Sequence, residues 1–442
     1  MNKVYLAFLS ALVFAALSSG AVYAEGKLPF DLKPTCNASL EFGDIVKGYD
    51  KNYGVESFSN VWMQKTIIGF GVQAIFRAQD TLRVAAEMKM FNEYPRKTIL
   101  GATRRLYHYP YVREAQVIHD FINNDVVDII GGIGYYPYKY NENVRNLGEY
   151  LFRSTIYPQT LSTEFDYPYA RLLGGYLKTT LLNQISCDIL IASNQEYMAV
   201  HDINLAILGA WQPGRILEIG GGIYFGSIIS ADSNKTSPKD DVTWGYIDTV
   251  NGKPVTKFYS FAGKKLMARM AFDPKYLFSS NGLGGLFGEN DLKIYAEAAL
   301  LGTDNYPRAF NQPVWYMNPL QRIPVMFGFN VPTFKVLDIL NLEAEWWGNP
   351  YANSLEGVVM DGAPLPFRPS NDPVKDSLIY KNDNWKWSIY VKKTFASHYN
   401  VTIQAASDHM RTFALDYYRQ DWEESLRGPS NWCFTIKLGA LF

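Results

Sequence analysis

The residues best suited to nucleophilic or metal chemistry in this chain are five histidines (His108, His119, His201, His398 and His409) and three cysteines (Cys36, Cys187 and Cys433). Ser397–His398 and Asp408–His409 are sequence neighbours. Neighbours on an extended strand point to opposite faces, so neither pair is arranged as a catalytic dyad. No His or Cys cluster has metal-ligand spacing, and no cofactor is expected. Three scattered cysteines are also a poor disulfide framework. The glycine runs "GGIG" at 131–134 and "IGGGIYFG" at 219–226 lie inside extended stretches, where they serve close packing or bending rather than phosphate binding. What remains is charge. Arg145, Glu149, Arg153, Glu164 and Asp166 share one long connection. Arg83, Glu87, Lys89, Glu114, Asp128, Glu218, Lys293, Glu297, Glu343, Glu345, Lys386 and Lys437 are spread along the strands of the chain. Mixed charge of this kind lines a surface that solutes pass or touch; it is not the constellation of an enzyme.

The elements that carry these charges alternate with period two. In "TIIGFGVQAIFR", Ile68, Phe70, Val72, Ala74 and Phe76 share one face, and Gly69, Gly71, Gln73 and Arg77 the other. "TLRVAAEMKMF" repeats the device after a tight turn, which predicts an antiparallel hairpin. Sixteen such segments are expected, at 36–46, 66–78, 80–91, 111–121, 125–137, 169–180, 185–193, 201–211, 215–227, 258–272, 291–302, 322–331, 336–347, 384–395, 399–408 and 431–442. Long and short connections alternate between them, with two exceptions: the link near Asn194–Val200 is short and the Gly-rich 273–290 is long. The 138–168 connection is too long for an idle link. Its "NVRNLGEYLFRS" is expected to form one or two helical turns, with Leu147, Leu151 and Phe152 packing on a wall and Arg145, Glu149 and Arg153 at helix-neighbour spacing. The loop either narrows a lumen or caps it. Tyr135, Tyr136, Tyr138, Tyr140 and Tyr150 crowd the same region, and their faces suit sugar rings as well as interfacial anchoring.

Composition narrows the class. Lys plus Arg number 42 against 43 Asp plus Glu, which is no basic nucleic-acid surface. At the start, Lys3, the apolar Val4–Leu17 and "AVYA" ending at Ala24 form a secretory signal pattern, so residues 1–24 are expected to be cleaved and 25–442 to be a single barrel domain. In a bilayer core only helices and closed sheets satisfy their backbone, and strands of nine to eleven residues reach across it. The expected fold is therefore all-β: a transmembrane antiparallel up-and-down barrel of about 16 strands, apolar outside and wet within, with long loops at one end and short turns at the other. A soluble sandwich is the competing fold.

The chain ends "NWCFTIKLGALF". Phe434, Ile436, Leu438 and Phe442 lie on one face, while Thr435 and Lys437 lie on the other. This ending resembles the assembly signal of Gram-negative outer-membrane proteins. In length, strand number and loop asymmetry the mature chain is similar to porin-type outer-membrane barrels. "VREAQVIHDFINNDVVDIIGGIGYYP" is similar to the hairpin before their inward third loop, with Tyr135 and Tyr136 where those proteins often carry Arg-Gln. The resemblance implies an exported, integral outer-membrane protein, with short turns toward the periplasm. It implies barrel-assembly machinery and membrane lipid as partners, and passive diffusion of small hydrophilic solutes, saccharides among them. A homo-oligomer is compatible with it. The alternative is a plugged surface barrel whose loops bind a polymer or protein partner.

Overall fold

The computed structural model of the chain describes residues 30–48, 59–77, 79–95, 105–152, 170–194, 202–229, 245–258, 263–281, 283–303, 318–347, 384–410, 425–426 and 428–442. The expected leader at 1–24 and the loop residues Arg153, Glu164 and Asp166 lie outside them.

Period-two alternation becomes strands throughout. They are β1 (Asp31–Lys47), β2 (Val61–Arg77), β3 (Asp80–Pro95), β4 (Arg105–Asn123), β5 (Val127–Tyr138) and β6 (Ala170–Leu181). Next come β7 (Ile185–Asn194), β8 (Ile203–Trp211), β9 (Leu217–Ile229), β10 (Gly245–Val250), β11 (Lys253–Phe258) and β12 (Gly263–Phe272). The last are β13 (Ile294–Leu300), β14 (Val325–Asn330), β15 (Ile339–Trp346), β16 (Trp385–Phe395), β17 (Tyr399–Ser407) and β18 (Trp432–Leu441). Sixteen of them close into one antiparallel up-and-down barrel, while β10 and β11 pair only with each other. All sixteen expected segments are barrel strands. Their lengths differ from the expected nine to eleven: β1 to β4 run 16–19 residues and β14 only six. The β10–β11 hairpin, inside a connection expected to lack strands, turns at Asn251-Gly252 with φ of 54° and 75°, the geometry of a type I′ turn.

The two faces separate cleanly. On β2, Ile68 and Phe70 are exposed on the outside, while Lys65 and Ile67 are buried within. Ile133, Leu173, Ile191, Ile207, Met270, Phe327, Ile403 and Leu438 continue the exposed apolar belt around the wall. Such a belt suits hydrocarbon rather than water. No helix among the described residues is long and apolar enough to cross a membrane.

Closure abolishes both sheet edges. β1 pairs with β18 from Asn37↔Leu441 to Lys47↔Trp432, placing Trp432 at the opposite end of the wall from Phe442. The Phe442 N–H donates to the Cys36 carbonyl at 2.8 Å, and the Cys36 N–H donates to the Phe442 carbonyl at 2.8 Å. The Phe442 ring stacks on His398 and meets Tyr399 edge-on, with centroids at 5.5 and 5.8 Å. Deleting Phe442 should therefore cost about 1–3 kcal/mol of seam stability, at about 1 kcal/mol per backbone bond. The check is the folded fraction after refolding, read as heat-modifiable electrophoretic mobility; an unchanged fraction would remove the seam from the assembly account.

Candidate functional site

The inner wall divides into two arcs. The expectation was a wet interior with inward charges of both signs. From β5 to β14 the inward side chains include Tyr136, Tyr138, Leu172, Leu190, Leu208, Tyr224, Met267 and Met326, all buried in one apolar cluster. The polar arc runs from β15 through the seam to β4 and carries Glu343, Glu345, Lys386, Gln404, Thr435, Glu41, Lys65, Glu87 and Lys89, all buried as well.

The segment after β5 folds into the barrel and lies on the apolar arc. Its Val144, Leu147, Tyr150, Leu151 and Phe152 belong to the same buried cluster as the wall. Phe152 sits among Tyr138, Tyr140 and Tyr224, with ring centroids at 5.2, 5.9 and 5.8 Å. The wall packing expected of Leu147, Leu151 and Phe152 is present; the helical turns are not. Residues 141–152 are turns and bends, and Gly148 and Glu149 take left-handed φ values of 92° and 62° that no helix continues through.

Wall carboxylates satisfy the backbone of this loop. Glu343 accepts the N–H groups of Arg145, Asn146 and Leu147 at 2.6, 2.8 and 2.8 Å, and the Tyr295 hydroxyl at 2.7 Å. Successive backbone N–H groups converging on one anion form a nest. Glu297 accepts the Tyr140 hydroxyl at 2.6 Å, the Asn141 amide at 2.8 Å and the Tyr150 N–H at 2.9 Å. Glu345 accepts the Tyr150 hydroxyl at 3.1 Å and meets His409 Nε2 at 2.8 Å. Asp408 accepts the Asn146 amide at 2.8 Å and the Met410 N–H at 3.0 Å. Burial raises the Asp408 carboxyl above its usual range, opposed by the Asn146 amide and His409. Burial, then Glu297 and Glu149, hold the Tyr140 phenol far above its usual range, so it remains a donor.

The expected constriction residues separate. Glu149 is fully buried, and its Oε1 accepts the Tyr140 and Asn141 N–H groups at 3.1 and 2.7 Å. It clasps its own loop instead of projecting into the lumen, because the left-handed backbone turns it inward. Arg145 is half-buried beside the Glu343 nest.

Of the wall candidates, alternation and register turn Arg83, Glu87, Lys89, Glu114, Asp128, Glu218, Glu297, Glu343, Glu345, Lys386 and Lys437 inward, while Lys293 lies just before β13. Several are engaged rather than presented to solute. Glu87 binds Arg113 Nη1 and the Asn37 amide at 3.1 and 3.3 Å. Glu218 pairs with Arg269, Glu114 accepts the Gln116 amide at 2.6 Å, and Lys386 donates to the Leu426 carbonyl at 2.5 Å. Arg83 is exposed, and Glu114, Asp128, Glu218, Lys293 and Lys437 are half-buried, toward the turn end.

Other inward residues were missed. Arg113 reaches Glu87 because a bulge opposite Ala85–Ala86 shifts the register by one residue. Glu41 and Lys65 pair at 3.0 Å across β1 and β2; alternation with Asn37 and Ser39 carried the signal for Glu41. Tyr138, one of the tyrosines singled out in the sequence, turns inward and donates to Asp188 at 2.6 Å, with Lys178 Nζ 5.0 Å from its ring.

The glycines of "IGGGIYFG" act as packing sites. A Cβ on Gly222 would stand 2.8 Å from Leu151 Cδ1 and 3.2 Å from Leu208 Cγ. Gly222→Val should therefore lever the loop from the wall at a cost of about 1–3 kcal/mol, the usual penalty of overpacking. Faster proteolysis within 139–152 in the folded barrel would register this.

No protein-family model matches the chain, and no curated protein sequence matches it. Solved structures that match include a double mutant of the Rhodopseudomonas blastica porin, at 9% identity and a TM-score of 0.40, covering 93% of this chain and 100% of that one. A triple mutant of the same porin matches at 8% identity and a TM-score of 0.40, with the same coverage.

Proposed function

We propose that the chain is an outer-membrane channel through which small hydrophilic solutes diffuse passively, with the loop beginning at Lys139 narrowing its lumen. The observation that carries this reading is the inward loop inside a closed sixteen-strand barrel, held to the wall by Glu297 and Glu343. Held carboxylates and buried side chains fix the loop's position, and a fixed obstruction sets a size limit that a mobile one does not. The apolar outer belt supports residence in a bilayer, with the short turns and Phe442 at the periplasmic face and residues 1–24 as the removed export signal. Arg145, with Arg153, Glu164 and Asp166 farther along the same connection, supplies charge to the narrow zone. Saccharides are among the solutes a lumen of this kind would pass, and oligomerisation is compatible with the belt.

A second reading draws on one specific observation: every barrel strand contributes a buried inward residue, including long polar ones such as Lys89, Gln404 and Lys386. That degree of coverage favours a barrel occluded at rest, whose loops bind a partner. Planar-bilayer recording separates the two. Steady single-channel steps support the channel; silence under all voltages supports the occluded barrel. In a conducting protein, Arg145→Glu should move the reversal potential toward cation preference. No movement would take Arg145 out of the narrow zone.

A further inference from the structure

The connection from β12 to β13, residues 273–293, is long where every other link at the turn end is short, and the channel reading assigns it no task. It contains two 3-10 turns, Pro274–Asn281 and Leu283–Leu286. It is fastened to the β14–β15 turn, residues 331–338. The buried carboxylate of Asp291 accepts the Gly288 N–H at 2.8 Å, the Thr333 hydroxyl at 3.1 Å and the Phe334 N–H at 3.0 Å. Lys335 Nζ donates to the Gly285 carbonyl at 2.5 Å, and Phe287 stacks on Phe334 with centroids 5.7 Å apart. The two turns thus form one fixed shelf.

Its apolar side chains nevertheless face out: Leu277 is 54% exposed, Leu286 55%, Phe334 58% and Val336 71%, with Phe278 at 40%. The shelf directly follows strands whose outer faces carry exposed Met270, Phe327 and Leu342, so it prolongs the apolar belt. Cations flank it. Arg215 is exposed, with its guanidinium 5.8 Å from the Tyr276 ring, and Lys335 is exposed beside Phe334. Apolar tips with basic flanks are the pattern of a surface seated at the boundary between headgroups and acyl chains.

We propose that this shelf is a lipid-binding foot, seated in the headgroup–acyl boundary of the leaflet at the turn end and selecting anionic phospholipid. It deepens the membrane reading and rests on it. Because Asp291 fixes the shelf beforehand, binding orders little of the chain.

The test uses the full mature chain reconstituted in phosphatidylethanolamine–phosphatidylglycerol liposomes. Nitroxides are placed by Phe278→Cys, Leu286→Cys and Val336→Cys, and on the belt by Ile207→Cys, in a background with Cys36, Cys187 and Cys433 changed to Ser. Foot labels relaxed by oxygen and shielded from a water-soluble nickel chelate, like the belt label, are the expected result. Foot labels open to nickel while the belt label stays shielded would overturn the foot and leave the barrel's membrane residence intact. A belt label open to nickel would overturn both. Spin–spin broadening at the foot would give the surface to a second copy of the chain and overturn the lipid assignment. Should the cysteine-free chain fail to fold, the unmodified chain is photolabelled with a phosphatidylglycerol carrying a diazirine in its acyl chain. Adducts on Leu277, Phe278 or Leu286 are expected, severalfold fewer when the photolabel is a zwitterionic lipid. Adducts on belt strands alone, or equal labelling by both lipids, would overturn the proposal.

Discussion

Glu343→Ala should release the inward loop and raise single-channel conductance while the barrel stays folded. Glu343 receives four hydrogen bonds, three from consecutive backbone N–H groups and one from the Tyr295 hydroxyl. Truncation leaves those donors buried without their acceptor, and a hydrogen bond to a charged group contributes about 1.5–3 kcal/mol. The losses do not add fully, so removal of this single acceptor is expected to cost the docked state about 3–5 kcal/mol, the range seen when one partner of a buried charged pair is deleted. At about 1.4 kcal/mol per tenfold, the docked-to-released ratio falls by roughly a hundredfold or more. Glu343→Gln should fare little better: one amide oxygen replaces two carboxylate oxygens, and the new NH2 faces donors. The strand itself is held by backbone pairing of Glu343 with Gly328 and Ser388, so heat-modifiable mobility should be unchanged. The readouts are larger, noisier conductance steps and faster cleavage within 139–152. If both match the parent protein, the nest does not hold the loop and the apolar cluster alone does.

How far these features were legible in the chain follows from what each depends on. Barrel strands depend on alternation, a local signal, and all sixteen were readable from it. The β10–β11 hairpin was missed, although Asn251-Gly252 carries a type I′ signature within an apparently plain connection. The polar arc was legible at Glu343, Glu345 and Lys386, as was Glu297 on β13, because charge stands out against apolar neighbours. The apolar arc was not. On β6 to β8, inward Leu172, Leu190 and Leu208 adjoin outward Leu173, Ile189 and Ile207, so these strands could be placed but the apolar character of their inner face did not stand out against the outer one. The loop's partners were hidden for a different reason. Glu343 lies 196–198 residues from the N–H groups it accepts, so only closure of the sheet brings them together. The expected Arg145–Glu149 helix spacing gave way because Gly148 breaks the turn and Glu149 finds nearer donors in Tyr140 and Asn141.

That apolar arc makes Phe152→Ala the second large effect. Phe152 is buried between the loop and the wall, with Tyr138, Tyr140 and Tyr224 around its ring. Truncating a buried Phe costs about 3–5 kcal/mol, from lost transfer energy and from the cavity left behind. Collapse is hindered here. The ring already borders a small cavity with Leu172, Leu190, Ala192, Asn204, Ala206 and Tyr224, and strands of a closed sheet cannot move in to fill it. Loop release is therefore cheaper than tolerating the void, and conductance should rise as it does for Glu343→Ala, with Phe152→Leu giving a smaller change. The two sites lie at opposite ends of one short segment, so they test whether docking is a single equilibrium. If it is, Phe152→Ala placed on top of Glu343→Ala should change conductance little, because the loop is already released. Equal, independent increments in the double variant would show instead that the segment detaches in two steps, its nest and its aromatic anchor opening separately.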